Sequence, residues 1–204
     1  MAYKADAMLR RRERTERRRD QVLNAAEECF LEQGFHGASM SRIAASAKMS
    51  AGHIYQYFES KDAIIIALCE RRFSGFADLL AVAEQSDHPA STSFVDAWIS
   101  QFAWWIDPER APLTLEIMSE AGRNPEVAAV VKRIDQRFRE IMRSSLLPLA
   151  GPIPPDEVED RLEAIVMLSH GMTSRMTADR EADPARILGA FRLAVHDLLT
   201  RQCG

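Results

Sequence analysis

Apolar residues return along this chain at intervals of three and four, and strict alternation is nowhere sustained. That period marks amphipathic helices rather than strands, and no Asn-Gly or Asp-Gly pair signals a hairpin. Helix starts are written in repeated form. Asp107-Pro108, Asn124-Pro125 and Asp183-Pro184 each join a capping side chain to a proline that needs no N–H in the first turn. Pro154-Pro155-Asp156 reads as a fourth start. The pattern predicts helices over 16–33, 39–47, 51–57, 61–83, 92–106, 108–122, 125–147, 156–178 and 184–201. The chain is therefore expected to be all-α, with about nine helices. Residues 84–91 are the most loop-like stretch, and the other connections are short.

The first helices carry a specific arrangement. Val22, Ala26, Cys29 and Phe30 make one apolar face, and the chain then turns at Gly34-Phe35-His36-Gly37. Ser39 is a good cap for a helix whose Met40, Ile43, Ala44 and Ala47 repeat at i, i+3, i+4 and i+7. After Lys48-Met49, Ser50 caps a third helix in which Ile54 and Phe58 face inward. Two short helices in tight succession on a longer one make a helix-turn-helix, whose second helix enters the major groove of DNA. Gly52 lets backbone come close to DNA there, and His53, Tyr55, Gln56 and Tyr57 offer hydrogen bonds to bases or phosphates. Ser39 and Arg42 suit a phosphate, and Ser60-Lys61 opens a further helix with a second phosphate clamp.

Charge bears on this reading because the net value is −4. That average hides an asymmetry: residues 1–72 hold thirteen Lys and Arg against ten Asp and Glu, whereas the remainder holds thirteen against twenty. Arg10–Arg19 alone has seven Arg and two Glu. Such polarity presents a basic face to phosphate while the whole molecule stays acidic. The arm, including Arg17 and Arg18, either follows the DNA backbone or minor groove or is a solubilising tail. Tyr57 is either a contact or packing, and His53 a contact or a solvated side chain.

The three cysteines, Cys29, Cys69 and Cys203, have neither a disulfide-framework nor a zinc spacing. Cys29 and Cys69 read as small core residues. No apolar run reaches the roughly 20 residues that span a bilayer. A soluble cytoplasmic protein is expected. No G-x-S-x-G, H-E-x-x-H, phosphate-binding glycine loop or His/Asp/Glu cluster is present, so neither an enzyme nor a metal or cofactor protein is expected.

QVLNAAEECFLEQGFHGASMSRIAASAKMSAGHIYQYFESKDAI resembles the DNA-binding domain of the TetR/AcrR family of bacterial regulators over about residues 17–72. The resemblance rests on F-x-x-x-G-F-x-G-x-S-M, I-A-x-x-A and S-x-G-x-I-Y-x-Y-F-x-S-K. It implies base and phosphate contacts at Ser39, Ser41, Arg42, Ala51, Gly52, His53, Tyr55, Gln56, Tyr57 and Lys61. Lys48 stands where members often have glycine, and a positive φ would cost a lysine something. The expected division is a basic flexible arm (1–15), a helix-turn-helix domain (16–72) and a ligand-binding and dimerisation domain (73–204).

For that last part the residues speak less clearly. Phe94, Trp98, Phe102 and Trp105 share a helix face, and Met118, Phe138, Met142, Met167, Met172 and Met176 add soft bulk. These side chains suit an apolar pocket or an ordinary core. Glu116 and His170 are candidate polar partners of a ligand. Two heptad-like seams follow, Ile165, Ser169, Met172 and Met176 on one helix and Ile187, Phe191, Ala194 and Leu198 on the next. The resemblance implies a four-helix dimer interface from these helices; intrachain core is the competing reading. The expected partners are a palindromic DNA operator, a second copy of the chain and a small effector, with helix 61–83 as the lever between sites. The expected role is a repressor released by that effector, against an activator or architectural protein without ligand control.

Overall fold

The computed structural model describes residues 2–84, 96, 99–104, 106–145 and 153–200. Among them are eight α-helices, one 3₁₀ turn and no strand. The helices are α1 (Ala2–Gly37), α2 (Met40–Ser46), α3 (Ala51–Ile54), α4 (Lys61–Glu84), α5 (Ala111–Ala121), α6 (Pro125–Ser145), α7 (Pro155–Ala178) and α8 (Pro184–Thr200). The 3₁₀ turn, Gln101–Trp104, precedes α5.

Several boundaries differ from expectation for local reasons. The arm expected to be flexible continues α1 back to Ala2. No glycine or proline interrupts residues 2–33, and Arg10–Asp6 and Arg17–Glu13 pair one turn apart. Helix α3, the expected recognition helix, is one turn long; Tyr57 and Phe58 continue it by donating to the Ile54 carbonyl. The helix expected over 92–106 gives way to the 3₁₀ turn at Gln101. Asp107 does not cap a helix from 108. Its Oδ1 accepts from Glu109 N at 2.9 Å and its carbonyl from Arg110 and Ala111, forming a turn that delays α5 to Ala111. Asn124 and Asp183 do act as caps, accepting from Glu126 N at 3.0 Å and Ala185 N at 2.9 Å.

Two apolar cores form. The first joins α1–α4 around Phe30, Ile43, Ile54, Ile64, Ile65 and Leu68, and it also takes in Leu113 and Ile117 of α5 and Val127 and Val130 of α6. The second gathers Phe102, Met142, Leu162, Ile165, Val166, Met176, Phe191 and Val195. Cys29 and Cys69 are buried in the first core, and burial pushes the Cys69 thiol up to about 12 and raises that of Cys29. Both stay protonated at neutral pH and act as small apolar side chains.

A candidate DNA interface and effector cavity

Caps and α1 hold the reading surface. Ser39 Oγ accepts from Arg42 N at 3.3 Å to start α2, and Ser50 Oγ accepts from His53 N at 3.2 Å to start α3. From α1, Gln21 Nε2 donates to Ala47 O at 2.6 Å. Arg19 donates to Tyr57 O at 2.8 Å and lies 4.3 Å over the Phe58 ring. Reading Arg10–Arg19 as one arm missed this internal work of Arg19. Its place next to the first apolar face of α1 was the available signal.

What remains outward is Ser39, Ser41, Arg42, Ala51, Gly52, Tyr55 and Gln56, all exposed, together with Arg17 and Arg18. Nothing lies within 4 Å of a Cβ placed on Gly52, so this backbone is open to approach. Arg42 sits 3.7 Å from Glu32, and Arg18 donates to Gln21 at 2.8 Å. His53 and Tyr57 are half-buried and bonded to each other, Nε2 to OH at 3.3 Å. Tyr57 also packs on the first core. Lys48 has φ 53°, the one positive φ outside glycine among the described residues.

Lys61 departs from its expected place on phosphate. Its ammonium donates to Phe35 O at 2.6 Å and Ala38 O at 3.0 Å, and it lies 4.4 Å from the Phe35 ring centroid. The last carbonyls of a helix lack intrahelical partners, and a cation there also meets the favourable end of the helix dipole.

A cavity of about 550 Å³ opens between α5, α6 and α7. Phe73, Phe102, Met118, Val131, Ile134, Phe138, Val166 and Met167 give it an apolar wall. Thr114, Lys132, Asp135, Arg139, Glu163, Ser169, His170 and Thr173 supply its polar groups. Of the residues expected at a pocket, Phe102, Met118, Phe138, Met167 and His170 are brought together here. Met142 is not at the wall; it is fully buried in the second core. Glu116 also points elsewhere, accepting from Phe35 N at 2.9 Å. Trp98 and Trp105, with Phe94, lie outside the described residues.

The seam expected between protomers is corrected as well. Ile165, Met172, Met176 and Phe191 are buried inside the second core, where they have no surface to offer a partner. Ile187 and Leu198 pack against that core, Ala194 is half-buried and Ser169 lines the cavity. The outward faces lie about one residue, some 100° of helix, away. They carry Leu168, 38% exposed, and Leu193, 75% exposed. Gly171 and Gly189 stand with them, each with nothing within 4 Å of an added Cβ.

The two regions meet through α5. Leu113 and Ile117 enter the first core, while Thr114, Met118 and Ala121 line the cavity. Buried Arg72 of α4 adds a polar tie, donating to Thr114 Oγ1 at 3.0 Å and Arg110 O at 3.3 Å and pairing with Glu27 of α1 at 3.4 Å. Burial pulls the Arg72 guanidinium below its ordinary range, and the Glu27 carboxylate pushes back. Among the described residues, no cluster of three or more His, Cys, Asp or Glu could hold a metal. No described helix is long and apolar enough to cross a membrane.

The arrangement is a helix-turn-helix module joined to a cavity-bearing helical domain. Residues 22–68 match the family described as bacterial regulatory proteins, tetR family. The HTH-type transcriptional regulator UidR of Escherichia coli (strain K12) is 31% identical over 195 residues, covering 89% of this chain and 93% of UidR. The solved structure of Salmonella enterica GusR aligns with TM-score 0.67 and 26% identity over 89% of this chain and 95% of GusR. That of FadR from Bacillus subtilis in complex with stearoyl-CoA aligns with TM-score 0.73 over 88% and 96% of the two chains; at 21% identity this is a likeness of fold. The chain belongs to the tetR family of bacterial regulatory proteins and is a transcriptional regulator.

Proposed function

We propose that this regulator is a dimeric repressor, released from a palindromic operator by a small apolar or amphipathic molecule bound in the α5–α7 cavity. One observation carries the reading. Helix α5 has one side in the cavity wall and the other in the core of the DNA-reading unit. A ligand that moves α5 therefore acts on the reading unit directly, and so does one that moves the expected lever α4, which sends Phe73 to the cavity and Ile64, Ile65 and Leu68 to the same core.

Ser39, Ser41, Arg42 and the start of α2 serve phosphate, and Ala51, Gly52, His53, Tyr55, Gln56 and Tyr57 meet the major groove. Arg17 and Arg18 add electrostatic attraction along the backbone. The outward faces of α7 and α8 around Leu168 and Leu193 meet their counterparts in a second copy, and the two reading units span half-sites about 34–36 Å apart. Changing that separation by ligand binding requires a coupling of only about 1–3 kcal/mol.

The test has two stages. The full chain selects its sequence from a random DNA pool, and native mass spectrometry identifies molecules captured from a small-molecule extract. Selection of a palindrome, and at least tenfold weaker binding of that DNA with the captured molecule, is the expected result. Capture without loss of DNA affinity rejects release by ligand. Failure to select any sequence rejects operator reading.

A further inference from the structure

The chain breaks sharply at one point between the reading helices and the cavity, and α5 grips it there. Gly34 has φ 71° and ψ 165°, a region open essentially to glycine alone. That ψ turns the Phe35 amide out of the helical ladder of α1 and toward α5. There Glu116 Oε2 accepts from Phe35 N at 2.9 Å, and the same oxygen would lie 3.5 Å from a Cβ on Gly34. One turn along α5, Glu120 Oε2 stands 3.1 Å from His36 Nε2. Glu120 is 5% exposed and its Oε2 has no hydrogen-bond partner among the described residues, so its approaches to His36 and, at 3.7 Å, to Arg123 are ion-pair contacts rather than hydrogen bonds.

The same residue is held from its other side. Lys61, the first residue of α4, donates to the Phe35 carbonyl at 2.6 Å. Phe35 thus has its N–H bonded to the cavity-bearing domain and its C=O bonded to the helix that follows the recognition helix. Four residues later Ser39 caps α2. A displacement of the Phe35 backbone is carried into α2 and α3 with little intervening chain to absorb it.

We infer that Glu116 and Glu120 are positioning residues for operator binding: a two-carboxylate clasp on Phe35 and His36 that sets the angle of the reading unit, and hence the half-site separation the dimer accepts. The inference rests on the proposed dimeric operator reading. It adds that the bonds at Phe35 set the angle, and that α5 packing alone does not. Neither glutamate needs to touch DNA, so their loss alters spacing discrimination and leaves the number of phosphate contacts unchanged.

The experiment uses the full chain and the palindrome it selects, with the central spacer also lengthened and shortened by one base pair. Wild-type protein is expected to bind the altered spacings about tenfold or more weakly. Glu116→Ala is expected to narrow that discrimination to about threefold or less, with an unchanged salt slope. Glu116→Gln keeps an acceptor for Phe35 N and is expected to restore wild-type discrimination. His36→Ala removes an exposed side chain, folds without difficulty and is expected to shift discrimination in the same direction by less. Wild-type discrimination in both Glu116→Ala and His36→Ala overturns the clasp. So does a loss in Glu116→Ala that tracks its melting temperature and is equal at every spacing. Ala128 of α6 lines the cavity, and filling it with Ala128→Trp separates this result from ligand control. An unchanged operator affinity in that variant rejects release through the cavity and leaves the spacing result standing. A tenfold loss that persists undiminished in Glu116→Ala overturns transmission through the clasp.

Discussion

The DNA-reading unit and the cavity-bearing domain are built from the same helices-on-helices packing, yet they answer differently to inspection of the chain. In the reading unit, two short helices and the end of α1 must close around Phe30, Ile43, Ile54 and Phe58, and almost every apolar residue of the pattern is buried. The caps at Ser39 and Ser50 then fix the outward face with little freedom left. In the second domain, long helices leave a cavity on one side and an uncovered apolar face on another, so three kinds of apolar surface compete for one periodic pattern. A dense core assigns faces by itself, whereas a hollow one does not.

The sharpest way to break this contrast is at the cores themselves. Phe30→Ala empties a site 1% exposed, with Phe35 at 5.3 Å between ring centroids, and is expected to cost about 3–5 kcal/mol in urea unfolding. Phe138→Ala, beside space that is already empty, is expected to cost clearly less. Equal losses would mean the cavity domain is as tightly packed as the reading unit.

The corrected faces of α7 and α8 are tested next. Leu193→Glu is expected to weaken the dimer by about 2 kcal/mol in sedimentation equilibrium while leaving the fold intact. Met172→Ala is expected to lower stability by about 2 kcal/mol or more without altering the dimer, because that side chain is buried within the protomer. Exchanged phenotypes would restore the seam inferred from the heptad spacing.

A similar effect, about 1–3 kcal/mol, is expected for Gly34→Ala, whose backbone no other residue adopts without strain; thermal unfolding measures it. Gln56→Ala is expected to relax base preference at one position by about 1–3 kcal/mol in a binding-site selection. Arg17→Ala and Arg18→Ala are expected instead to weaken all sequences alike and flatten the salt dependence. The smallest effect belongs to the turn: Lys48→Gly removes a left-handed lysine and is expected to stabilise by about 1 kcal/mol or less.

The placing of helices along the chain was largely legible from spacing, Asx-Pro pairs and glycines. The exceptions are instructive. Asp107-Pro108 has the same letters as Asp183-Pro184, but its carbonyl and side chain close a turn that begins four residues before the helix. Glu116 and Lys61 were legible as polar groups near function. Nothing local, however, distinguishes a glutamate facing a ligand from one bonded to an amide 81 residues away.

Local sequence suffices to make the protein helical, to build its reading unit as a helix-turn-helix with Ser39, Ser41, Arg42, Ala51, Gly52, Tyr55 and Gln56 outward, and to mark Lys48 as the turn position where a positive φ would be strained. Those features follow from interactions spanning a few residues: caps, turn dihedrals and the 3.6-residue period. Packing between distant helices is what turns Met172 and Phe191 inward and leaves Leu168 and Leu193 facing out. It alone put α5 between cavity and reading unit and Glu116 on the Phe35 amide. One step of sequence turns a helix by about 100°, so adjacent periodic stripes look alike until packing against distant helices selects one of them.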